Sequence, residues 1–218
     1  MIRSHRPVVL ALACVLFAPP TGAQQDDGPL RLAPDRTASG TYANPERGFS
    51  VHVPSLSGTV QAFEEYALDN PTASVFFLDG NAWLVGVIYT RIRPGYPKDF
   101  ELIESRIKPK HENQQRAWGE AYQVRTEQVG GTPVLATVNV KPGFAGERDL
   151  QYLRHTLGDF DPGNRCECVR SDFHFVRNGY YVQLIAIVNA KTGLSKDAAL
   201  ARSRAELVDA FERLKVGG

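Results

Sequence analysis

The chain has 218 residues, 43% of them apolar and 22% charged, with 25 Lys and Arg against 24 Asp and Glu for a formal net charge of +1. So even a balance leaves no basic footprint for nucleic acid or an anionic lipid surface. Length and apolar content suffice for one domain with a substantial core.

Arg3 and Arg6, an apolar run at 8–18 and the small-residue end Pro19-Pro20-Thr21-Gly22-Ala23 have the three parts of a secretory signal peptide, residues 1–23. Eleven apolar residues closed by two prolines fall short of the roughly 20 that cross a bilayer as a helix, so cleavage is expected rather than anchoring. Ala11-Leu12-Ala13 before Cys14 loosely resembles a lipidation box, although modification there would strand residues 15–18 on the mature side. Cleavage leaves 195 residues with net charge −1 and two cysteines, Cys166 and Cys168. The expected product is periplasmic or secreted, without membrane insertion after signal cleavage.

Residues 24–39 carry Asp26, Asp27, Gly28, Pro29, Pro34 and Asp35 with few large apolar groups, and read as a flexible leader. A single α+β domain is expected over 40–216, with an insertion at 141–172. Phe49, Val51 and Val53 alternate with polar residues as in a half-buried strand. Residues 73–78 and 83–89 flank Asp79-Gly80-Asn81 as a hairpin. Both faces of the second strand are apolar, which places it inside a sheet covered on both sides.

From 98 to 107 the period changes, with Phe100, Ile103 and Ile107 on one helical face. Pro109 is expected to break or end that helix, and 112–121 to form a second piece anchored by Trp118. Two hairpins follow, 122–128 with 133–140 through Gly130-Gly131, and 173–176 with 180–188 through Asn178-Gly179. Ser195 reads as the N-cap of a closing helix with Leu200, Leu207, Phe211 and Leu214 on one face and Gly217-Gly218 at its end.

Strand-rich stretches interrupted by one helical region and closed by a terminal helix give a mostly antiparallel sheet built from hairpins, with helices on its faces. The run Tyr42-Ala43-Asn44-Pro45-Glu46-Arg47-Gly48-Phe49-Ser50-Val51-His52-Val53-Pro54 resembles the opening of PsbP-like domains, an α/β/α sandwich superfamily that includes the photosystem II extrinsic protein, a Ran-binding factor and bacterial envelope proteins. That resemblance implies an accessory or binding protein without catalysis, with an envelope protein or small ligand as partner and no cofactor. The insertion departs from the superfamily's shorter connection and is where a private function would sit.

Several residues carry other chemistry. Cys166-Glu167-Cys168 reads as a strained local disulfide, as free or intermolecular thiols, as a redox pair, or as soft ligands for copper or zinc completed by His174 and by His155 or Asp172. Strand alternation puts Asp172 and His174 on one face. Arg91, Arg93 and Lys98 cluster near a strand end as an anion-binding candidate. His52, opposite Val51 and Val53, and His111, in a polar stretch, read as solvated or hydrogen-bonded groups. Ser50 and His52 share a face, but the chain has no nucleophile elbow. Asp159-x-Asp161 fails as a calcium loop, since position 12 is Arg170.

Overall fold

The computed structural model describes residues 31–37, 40–44, 48–52, 60–66, 72–79, 83–140, 168–189 and 194–217. In chain order the strands are β1 (Arg31–Thr37), β2 (Thr41–Asn44), β3 (Phe49–His52), β4 (Val60–Tyr66), β5 (Thr72–Asp79), β6 (Trp83–Arg91), β7 (Tyr122–Val129), β8 (Thr132–Asn139), β9 (Cys168–Arg177), β10 (Tyr180–Asn189) and β11 (Lys215–Val216). Between β6 and β7 come α1 (Phe100–Leu102), a π-helical turn (Ile103–Ile107) and α2 (Lys108–Trp118), while α3 (Lys196–Arg213) follows β10.

Eight strands form one sheet in the order β1-β4-β5-β6-β10-β9-β8-β7, and β11-β3-β2 form a second, smaller one. Every pairing is antiparallel. The large sheet is two meanders, β4-β5-β6 and β7-β8-β9-β10, laid edge to edge along β6 and β10. Chain connectivity then assigns the helices. Leaving β6 at the centre and returning at the outer strand β7, the chain crosses one face as the α1–α2 segment. Leaving β10, it crosses the other face as α3.

The expected α+β sandwich, with helices on both faces of a hairpin-built antiparallel sheet, is therefore the observed architecture. Two hairpins turn on two residues, Gly130-Gly131 (φ 55° and 78°) and Asn178-Gly179 (φ 50° and 78°), all with the positive φ that the twist of two-residue β-hairpins requires. On the α3 face the core is mainly apolar, with Phe77, Phe173, Phe175, Leu184, Leu207 and Phe211 packed against Tyr42, Phe49 and Val51 of the small sheet. Burial of each large side chain there contributes roughly 1.5–3 kcal/mol. Among the described residues no helix is long and apolar enough to cross a membrane.

Four expectations change. Arg31–Thr37, within the stretch read as leader, pairs with β4, because the open edge of a sheet supplies hydrogen-bond partners that composition does not register. Pro109 does not break the helix. It follows a π turn whose wider spacing lets the Lys108 N–H donate to Ile103 O, and it sits in the first turn of α2, where its missing N–H costs nothing. The buried residue of α2 is His111 rather than Trp118. Finally, α3 ends before the glycines: Leu214 turns extended and Lys215–Val216 joins the small sheet beside β3.

Candidate functional site

Alternation along β9 sorts its side chains onto two chemically different faces. Phe173 and Phe175 enter the apolar core, and Ser171 Oγ meets Ser203 Oγ of α3 at 2.8 Å. Arg170, Asp172 and His174 face the α1–α2 layer, as the sequence parity of Asp172 and His174 required. Asp172, 5% exposed, accepts from Arg170 Nη2 at 2.9 Å, Arg170 Nε at 3.0 Å, Gln183 Nε2 at 2.8 Å and Thr137 Oγ1 at 3.3 Å. Burial works against its charge, but the Arg170 guanidinium, with these hydrogen bonds, holds the carboxyl below the usual carboxylate range.

Beside this ion pair lie two histidines. The rings of His111 and His174 have centroids 4.6 Å apart at a 47° tilt, and each Nδ1 is held by a tyrosine, His111 by Tyr122 Oη at 2.5 Å and His174 by Tyr181 Oη at 2.8 Å. His174 is 1% exposed, and its Nε2 is buried with no hydrogen-bond partner. Burial pushes the pKa of His111 down to about 4, and burial together with His111 pushes that of His174 down to about 3. Both imidazoles are neutral at physiological pH. Burial also raises the Tyr122 phenol above its ordinary value.

Asp172 only accepts, so Thr137 donates to it.

This cluster gathers two of the residues singled out from sequence, Asp172 and His174, and adds His111, Tyr122, Thr137, Arg170, Tyr181 and Gln183. One signal for His111 was available, because Ile103, Ile107 and His111 recur every four residues on the buried side of one helical run. The remaining candidates are placed differently. Cys168 opens β9, its backbone opposite Asn189, so β9 starts inside the range assigned to the insertion. Cys166, His155 and the Asp159–Asp161 turn lie outside the described residues, as does the side chain of Cys168. Among the described residues no three His, Cys, Asp or Glu side chains gather to hold a metal ion. Ser50 and His52 are half-buried on the outer side of β3.

Arg91, Arg93 and Lys98 are all exposed. Lys98 borders an open depression of about 480 Å³ with Asp99, Glu101 and Thr132, floored by Phe100, Pro133 and Val176. Carboxylates at both Asp99 and Glu101 make this a mixed-charge groove rather than an anion pocket.

No family model matches the chain and no curated protein is similar to it. Two solved structures are similar to it. One is the solution structure of a cyanobacterial PsbP from Synechocystis sp. PCC 6803, 8% identical with a TM-score of 0.44, covering 85% of this chain and 96% of that one. The other is a crystal structure from Bacteroides thetaiotaomicron VPI-5482, 10% identical with a TM-score of 0.40, covering 83% of this chain; the present chain spans about half, 49%, of that protein. Neither likeness bears on function.

Proposed function

We propose that this chain is an exported, non-enzymatic binding or accessory protein of the cell envelope, periplasmic or secreted, which engages an envelope protein or small ligand through its surface. One observation carries the reading: the clustered ionisable side chains His111, Tyr122, Asp172 and His174 are all buried and are hydrogen-bonded to neighbours within the fold. Groups arranged in that way rigidify a sandwich and present nothing to a substrate. The surface offers the groove at Lys98–Glu101, whose apolar floor and mixed-charge rim suit an extended peptide segment. The signal-like residues 1–23 support the compartment.

The test immobilises the exported chain against an envelope extract, identifies what is retained, and measures that component's affinity in purified form. Binding that survives His174→Phe but falls at least tenfold with Val176→Arg in the groove is expected. A reaction turned over by the purified chain and abolished by His174→Phe, with the fold intact by circular dichroism, overturns the proposal. Stoichiometric copper or zinc in the protein isolated from the envelope, lost on changing Cys166, Cys168 or His174, overturns it in favour of a metal-binding role.

A further inference from the structure

The helix α2 has the sequence KPKHENQQRAW and one buried residue, His111. A helix of that composition has no apolar stripe to hold it on a sheet. The turn before it is different, since Leu102, Ile103 and Ile107 are buried, and Ile103 and Ile107 pack on Leu135, Val124, Val176 and Tyr181. The α1–α2 layer is thus fastened by aliphatic contacts at its start and, beyond Lys108, by one buried ionisable ring, His111, with the half-buried Trp118 edge-on to Tyr122 at 5.6 Å at the far end.

Both ends of α2 are built to bend. At its start is the π-helical turn Ile103–Ile107, a spacing that often marks a functional site. At its end Gly119 has φ 61° and ψ −138°, a conformation glycine alone adopts readily, with open space where a Cβ would lie. We propose that α2 is an acid-released latch: protonation of His111 undocks Lys108–Trp118 from the sheet, with the π turn and Gly119 as hinges.

The surroundings of His111 explain why a cation would not stay. From β7 it meets the neutral Tyr122 hydroxyl. From β9 it meets the His174 ring, with Asp172 and Arg170 acting at longer range. Tyr181 and Gln183 of β10 lie behind, bonded to His174 and Asp172 respectively. Lys110 on α2 itself adds positive charge. The one carboxylate in reach is already matched by Arg170, and a proton taken up by His111 would place a cation 4.6 Å from a ring that is itself titratable.

The sign follows from linkage. Burial holds His111 at about 4 when docked, whereas an undocked, hydrated histidine titrates near 6.5. The undocked form therefore takes up protons more readily, and undocking is favoured progressively as pH falls from about 6.5 through about 4. Above 6.5 the latch is closed. Release would bare the Tyr122, His174 and Asp172 surface on one face while leaving the apolar core under α3 untouched.

Hydrogen–deuterium exchange, corrected for the intrinsic pH dependence of amide exchange, tests this on the full chain as recovered after expression with its own leader. Between pH 7 and pH 4.5, amides of 108–121 are expected to lose protection at least tenfold while those of 198–213 keep theirs, and Trp118 fluorescence should shift in step. His111→Leu should hold 108–121 protected at both pH values. Unchanged protection of 108–121 in the wild type, or its loss together with 198–213 in a single transition, overturns the proposal without recourse to any variant. Acid opening of equal size in His111→Leu also overturns it.

Discussion

Asp172 shows how one residue organises a buried neighbourhood. Its carboxylate accepts from three different side chains, and the Arg170–Asp172 pair has side chains only 16% and 6% exposed. Removing one member of such a pair leaves the other charged and unmatched in a poorly solvated place, at a cost of about 3–5 kcal/mol. Asp172→Asn is expected to lower unfolding stability by that order in urea titration, and Arg170→Met by a similar amount. The double change should cost less than the sum of the two, with a coupling energy of about 1–3 kcal/mol. Additivity within about 0.5 kcal/mol would show that the two side chains act independently. That Asp172 and His174 share a face was legible, because strand parity needs no knowledge of the partner strand. Their partners were not, because Thr137, Tyr122 and His111 arrive from elements separated by tens of residues, and a polar stretch around His111 reads as solvent-facing until a sheet is placed beneath it.

Among the elements, α3 shows how a helix end is completed from outside. Ser195 caps its start conventionally, accepting from the Ala198 N–H at 3.2 Å. Its far end lacks the left-handed glycine that commonly satisfies terminal carbonyls. Instead Arg177 of β9 donates through Nη1 to Phe211 O and Leu214 O, both at 2.9 Å, with its guanidinium 4.3 Å from the Phe211 ring centroid. Arg177→Met, which keeps the aliphatic stem, is expected to lower stability by about 2–3 kcal/mol with an unchanged urea m-value. Arg177→Lys should recover only part of the loss, since an ammonium lacks the planar fork. The hairpins and the body of α3 were readable from alternation, turn residues and 3.6-residue spacing. Strands β1 and β4 were not, because β1 exists only through its pairing with β4 at the sheet edge and β4 lies between it and β5, and the continuation through Pro109 depends on a π turn that no residue pattern marks.

At the level of the whole molecule, the large sheet keeps its dry and polar chemistry on opposite faces. The α3 side is a mainly apolar core crossed by the Ser171–Ser203 hydrogen bond, whereas the α1–α2 side holds the histidines, tyrosines and the ion pair beside its smaller aliphatic cluster. Within the meanders the hairpin pairings are local in sequence and β8 meets β9 across the 141–167 connection, but the central pairing, from Tyr180 opposite Arg91 to Val188 opposite Trp83, joins residues still farther apart along the chain. Its closure is the entropically costly step of assembly. The exposed stretch at Gly95 and Tyr96 lies on the only chain link between the meanders. Severing that link need not destroy the protein, because the central register and the shared α3-side core are both non-covalent. Two separately produced fragments, 24–95 and 96–218, should therefore recognise one another and regain the intact chain's circular dichroism on mixing, whereas persistent disorder in the mixture would show that the junction needs the tether. On this account the seam between β6 and β10 behaves as a subunit interface enclosed within one polypeptide.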